Sequence, residues 1–158
     1  MEEVKIRITS VSYEVEASLF TDEDDIAGEP VPVPENQPRA MEISLFGKKT
    51  EKDGRVEIIY AEDDSTGLEG SETAVSYARD NSGVVTMIRE GAVATALVFE
   101  AGKRHHSVYR TPFMPFTVCV HTLTVNNRLE DGGILELDYI VEIRGAQAER
   151  TKFKMELL

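Results

Sequence analysis

The apolar residues of this chain fall at every second position, in short runs separated by turn residues, and that period admits few folds. Val4, Ile6 and Ile8 alternate with Lys5, Arg7 and Thr9. Met41, Ile43 and Leu45 alternate with Glu42, Ser44 and Phe46, and Val56, Ile58 and Tyr60 form the next such row. Successive side chains on a strand point to opposite faces, so each run predicts a strand with one wet and one buried face. Between the runs stand Asp53-Gly54, Gly67 to Gly70, Asn81-Ser82-Gly83, Glu90-Gly91, Ala101-Gly102, Pro112 to Pro115, Asp131-Gly132-Gly133 and Arg144-Gly145. These residues supply the positive φ angles and missing donors that turns require. About ten short antiparallel strands must hide their edges, and closing a meander on itself does so. The expected fold is therefore all-β, one domain over residues 1–158. Its architecture is a closed or nearly closed meander barrel of about eight to ten strands, with the first and last strands paired.

Four segments carry finer expectations. Val11, Tyr13 and Val15 continue the first strand's alternation one residue out of phase, which predicts a bulge near Thr9-Ser10. Glu90-Gly91 reads as a two-residue hairpin connection between Val84–Arg89 and Ala92–Glu100, with glycine providing positive φ. Ser71 to Arg79 fits a strand better than the short helix that an N-cap Ser71 also permits. Phe116 to Val125 is apolar at nearly every position, with Thr117, Cys119, His121, Leu123 and Val125 on one face and Phe116, Val118, Val120 and Thr122 on the other. Such a strand is expected to sit centrally or under a covering loop.

Lys and Arg number 17 against 29 Asp and Glu, a net charge of −12 among 158 residues. That field repels phosphate backbones and anionic lipid, so neither nucleic acid nor a membrane is an expected partner. Half of the excess lies in residues 22–38, where six acids and no base are interleaved with prolines. This composition predicts a solvated acidic surface loop. The single cysteine, Cys119, cannot form an internal disulfide, and Met1 to Lys5 has neither the basic start nor the apolar run of a secretory signal. The expected location is cytoplasmic.

Motifs for nucleophilic catalysis, nucleotide binding or zinc do not occur. No catalytic residue, metal or cofactor is expected. His105 and His106 point to opposite faces of a strand, and Cys119 with His121 offers two ligands where a metal site needs more. Asp22 to Asp25 lacks the glycine spacing of a calcium loop. Arg89 shares a face with Val85 and Met87, so on the inner face it requires an anionic partner, either Glu62, Glu69 or Glu72 or a ligand. Tyr60, Glu62, Arg89, Tyr109, His121 and Tyr139 are the candidate binding residues, polar groups set in an apolar cup.

The ordered residues resemble the YwiB-like bacterial proteins, a domain of unknown function. The resemblance rests on Tyr60-x-Glu62, Thr66-Gly67-Leu68-x-Gly70-x-x-Thr73, Ile88-Arg89-x-Gly91, Phe99-x-x-Gly102, Tyr109-x-Thr111-Pro112 and Leu135-x-Leu137-x-Tyr139, across about residues 40–158. It departs where Phe113-Met114-Pro115 replaces the glycine that follows the Thr-Pro pair in the family. The resemblance implies a calycin-type, lipocalin-like barrel and no established activity. Two functions compete: a barrel holding a small apolar or amphipathic molecule, and a solid barrel acting as a protein-interaction module. An enzyme is the least supported class. A monomer or a homodimer is expected.

Overall fold

The structure, a computed structural model, describes residues 2–15, 39–61, 71–91, 94–110, 114–143 and 148–158. The acidic stretch 22–38, Glu62, Glu69 and the Thr111-Pro112 pair lie outside the described residues. Ten strands form one sheet: β1 (Glu2–Val15), β2 (Arg39–Lys52), β3 (Arg55–Ala61), β4 (Glu72–Ala78), β5 (Asn81–Glu90), β6 (Thr95–Glu100), β7 (Arg104–Arg110), β8 (Pro115–Arg128), β9 (Ile134–Ile143) and β10 (Ala148–Leu157). Their order is β6-β5-β4-β3-β2-β1-β10-β9-β8-β7. All the ladders between neighbours are antiparallel.

The first and last strands pair continuously, from Ile6 opposite Leu157 to Val15 opposite Ala148. The remaining seam, between β6 and β7, is narrower. Ala94 and Arg110 exchange backbone hydrogen bonds of 2.9 and 2.8 Å, and Ser107 Oγ donates to the Ala96 carbonyl at 2.6 Å. The barrel is thus nearly closed. Ser71 to Arg79 contributes strand β4, because Val75 and Tyr77 alternate into the core with Thr73.

Turn chemistry distributes differently from expectation. Asp53-Gly54 joins β2 to β3 in two residues, both at positive φ (54° and 78°), the backbone that matches the twist of a tight hairpin. The Glu90-Gly91 connection is longer than two residues, because the β5–β6 ladder closes at Arg89 opposite Thr95. Gly91 does take positive φ, at 147°. A Cβ there would stand 2.5 Å from Ser71 Oγ, so the close approach of that neighbour also requires glycine.

The expected bulge near Thr9-Ser10 is absent: β1 keeps unbroken register against both β2 and β10. The phase change has another cause. Val4, Ile6 and Ile8 face the main core, whereas Tyr13 and Val15 face outward into a second cluster with Cys119, Leu123, Ile140 and Ala148. The register shift lies instead in β8, between Thr122 and Thr124. It moves Val125 to the inner face beside Val118 and Val120, away from Cys119 and Leu123.

The inner core is built from Ile6, Ile8, Val56, Ile58, Val75, Val85, Phe99, Leu135, Leu137 and Met155, nearly all without solvent exposure. Close to the β2–β3, β4–β5 and β8–β9 turns, the buried Tyr77 hydroxyl donates to Glu130 Oε1 at 2.6 Å. Arg79 holds Glu130 and Glu51 together there. Burial first, then this carboxylate, push the Tyr77 phenol well above its usual range.

Gly47 on β2 makes a close backbone approach in the core: an added Cβ would lie 2.6 Å from both the Ile59 carbonyl oxygen and Ile6 Cδ1. Gly47→Ala should destabilise the fold by about 1–3 kcal/mol through overpacking. Gly83→Ala, which meets open space, should change stability by no more than about 0.5 kcal/mol. Urea unfolding of the two variants tests the contrast, and equal midpoints would contradict it.

Candidate functional site

A cavity of about 330 Å³ opens inside the barrel. Its lining comes from near the ends of β1, β3 and β5, the starts of β2 and β10, and Tyr139 of β9. Its apolar lining residues are Ile8, Met41, Ile43, Met87 and Phe153. Its polar lining residues are Ser10, Ser12, Tyr60, Arg89, Tyr139, Glu149 and Thr151.

Register explains why these polar groups meet. Residues opposite one another on adjacent antiparallel strands place their side chains on the same face. Ser12 stands opposite Thr151, Thr151 opposite Tyr139, and Tyr139 opposite Thr122, a polar row across β1, β10, β9 and β8. Tyr60, Thr73, Arg89 and Thr95 form a second row across β3 to β6. Both rows face the lumen.

Within the first row, Ser12 Oγ and Thr151 Oγ1 are 2.9 Å apart and hydrogen-bonded. The Tyr139 ring packs tilted against Phe99, with centroids 4.6 Å apart. Burial raises the Tyr139 pKa, while the Arg89 charge and a hydrogen bond with Thr151 act in the opposite direction. In the second row, Arg89 Nε donates to Thr73 Oγ1 at 3.3 Å. Glu149 is ion-paired with Arg39, whose side chain is largely exposed.

Of the six residues singled out in the sequence, Tyr60, Arg89 and Tyr139 line this one cavity. Tyr109 packs half-buried against the main core instead, and Glu62 lies outside the described residues. Glu72, one proposed partner of Arg89, sits exposed on the outer face, because it neighbours Thr73 and successive strand residues alternate. His121 faces outward on β8, opposite Arg104 of β7 and Ile140 of β9. It is buried there, and its Nδ1 has no hydrogen-bond partner among the described residues. The described residues contain no group of three His, Cys, Asp or Glu side chains placed to hold a metal ion.

Sequence reading missed Ser10, Ser12, Glu149 and Thr151. A signal for the serines existed. Ser10 and Ser12 continue the inward parity of Ile6 and Ile8, so the break in apolar alternation marked the start of a polar lining rather than a bulge.

Comparison with known families decides the relationship: the model of the Domain of unknown function (DUF1934) matches residues 32–155. The chain belongs to this family. The DUF1934 barrel is similar in fold to the crystal structure of ywiB protein from Bacillus subtilis, with a TM-score of 0.63 and 18% sequence identity. That likeness covers 99% of this chain and 93% of the other. A comparison with curated proteins finds no match. Among the described residues no helix is long and apolar enough to cross a membrane.

The placement of His121 has a pH consequence. Burial first, and then the Arg104 charge, hold its pKa below the ordinary value of 6.5. In acid the unfolded chain therefore takes up a proton that the folded chain does not, so stability present above pH 6.5 is lost as pH falls below it. The slope from this one group reaches at most about 1.4 kcal/mol per pH unit. Urea unfolding between pH 7 and about pH 5 should show a shallower loss in His121→Gln than in the parent chain, whereas identical slopes would contradict the assignment.

Proposed function

We propose that this DUF1934 barrel is a cytoplasmic binding protein that holds a small amphipathic molecule in its lumen. The observation that carries the reading is the mixed lining of the cavity, with Ile8, Met41, Ile43, Met87 and Phe153 apolar and Ser12, Tyr60, Arg89, Tyr139 and Thr151 polar. Its volume of about 330 Å³ falls at the lower end of the roughly 300–1,000 Å³ typical of ligand sites. Such sites combine an apolar wall, which supplies affinity, with a few placed polar groups, which fix orientation. A calycin-like cup works in this way, and the nearly closed sheet supplies the wall of the cavity from β1, β2, β3, β5, β9 and β10. The single free thiol, Cys119, is buried, consistent with a reducing compartment.

The test is native mass spectrometry of the protein purified from its own source, repeated after denaturation. An extra mass that leaves on unfolding is the expected result. Ser10→Phe, which fills the lumen with a side chain suited to a strand, should abolish the extra mass. Phe46→Ala, at a residue 66% exposed on the outer surface, should retain it. A mass equal to the bare chain across several growth conditions would overturn the reading.

A further inference from the structure

The sheet order begins at β6 and ends at β7, so the barrel closes where these two strands meet. Each is paired along its whole length on its other side. β6 joins β5 from Thr95 opposite Arg89 to Glu100 opposite Val84, and β7 joins β8 from Arg104 opposite His121 to Arg110 opposite Pro115. Between β6 and β7 the sheet pairing is confined to Ala94 and Arg110. Bonded pairs of an antiparallel ladder recur at every second residue, so a continuing ladder would next join Ala96 to Val108. The Ala96 carbonyl instead accepts the Ser107 hydroxyl at 2.6 Å. A side chain thus stands in for the ladder, in a hydrogen bond that is exposed.

The two ends of this seam are held differently. At one end are the backbone bonds of Ala94 and Arg110, 2.9 and 2.8 Å long. At the other, the turn at 101–103 connects the strands, with the Lys103 N–H donating to the Glu100 carbonyl at 3.0 Å. His105 Nε2 lies 3.5 Å from Glu100 Oε1 beside it. The turn is also tied to β8: the Gly102 N–H donates to the Thr122 carbonyl at 2.9 Å, and the Thr122 N–H donates to the Lys103 carbonyl at 3.1 Å. Water competes for exposed hydrogen bonds, and regions held by few buried ones open at a fraction of the global unfolding free energy. β1 against β10 is the opposite case, with unbroken register from Ile6 to Val15.

We infer that the barrel opens reversibly along the β6–β7 seam while the ladders between the other neighbouring strands hold, with the Ser107 hydroxyl as latch and the turn at 101–103 as hinge. Opening carries β6 with β5 away from β7, which stays on β8. It uncovers Leu97 and Phe99 of β6, both packed in the main core. Phe99 also packs on Tyr139, while β5 carries Met87 and Arg89. Tyr139, Met87 and Arg89 line the cavity, so the same motion loosens the cavity wall. The motion belongs to the ligand-free chain and does not depend on what the cavity holds.

Labelling of the full chain with N-ethylmaleimide, without added ligand, tests the motion. The parent chain, whose Cys119 thiol is buried, sets the background. Leu97→Cys puts a thiol at a buried core position beside the seam, and Met155→Cys puts one at a buried core position in the continuous closure, opposite Ile8. The Leu97→Cys thiol should react at least about tenfold faster than the Met155→Cys thiol, and below the unfolding transition its rate should depend little on urea, as local opening requires. Ser107→Ala should accelerate the Leu97→Cys reaction roughly two- to tenfold, the equivalent of one net hydrogen bond, and Ser107→Thr should keep the parent rate. Gly47→Ala, whose contacts survive in the open barrel, should accelerate only the Met155→Cys reaction. Equal rates at the two sites with parallel urea dependence would overturn the opening, and a Leu97→Cys rate unmoved by Ser107→Ala would overturn the latch. Amide exchange of the parent chain, read by NMR, supplies the same test without a core substitution. The bonded amides of Ala94 and Arg110 should exchange at least about tenfold faster than the bonded amides of β1 and β10, and equal protection would overturn the inference.

Discussion

The pairing of β1 with β10 is the constraint on which the rest of the structure depends. It joins the two ends of the chain along the whole of β10 from Ala148 to Leu157, and without it the meander would be an open sheet with two long edges. Backbone donors and acceptors on such edges invite pairing with other chains. Closure through β1 and β10 leaves one seam, β6 against β7, and there Ala94, Arg110 and Ser107 provide the contacts. The same pairing sets Ser12 opposite Thr151 and so builds part of the polar lining of the lumen.

The barrel wall is buried in two directions, and this accounts for several of its polar features. Inside, β1, β9 and β10 carry Ile8, Leu137 and Met155 into the main core. Outside, the same strands carry Val15, Ile140 and Ala148 into a second cluster with Cys119. On that outer side Arg150 makes two hydrogen bonds of 2.9 and 2.7 Å to Asp138. A buried guanidinium is tolerated only when its hydrogen-bonding capacity is met in this fork-like way. Cys119 shares the apolar surroundings, and burial pushes its thiol up, which makes it unreactive rather than nucleophilic.

Several elements were legible from residues alone because their causes are local. Val56, Ile58 and Tyr60 alternate into the core as their period requires, and Asp53-Gly54 makes the tight turn that its residues favour. Elements whose causes are long-range were misread. Glu90-Gly91 has hairpin chemistry, yet the nearness of Ser71 and the Arg89–Thr95 register give a longer connection. The phase change in β1 has the local appearance of a bulge, whereas its origin is an outer cluster formed with β8, β9 and β10. Tyr60, Arg89 and Tyr139 stood out as polar residues on apolar faces. Ser12 and Thr151 did not, since small hydroxyl side chains on a strand are unremarkable until the partner strand is known.

The sequence by itself determined the all-strand architecture, the meander and the inward side of most strands, because a period of two and the turn residues act over a few positions. Tertiary structure decided which half of β1 faces which cluster, where the register shifts in β8, and which hydroxyls gather around Arg89. Those outcomes depend on register between residues as distant as Ser12 and Thr151. Register is set by the simultaneous burial of many side chains across the whole barrel, and no local stretch of residues contains that information.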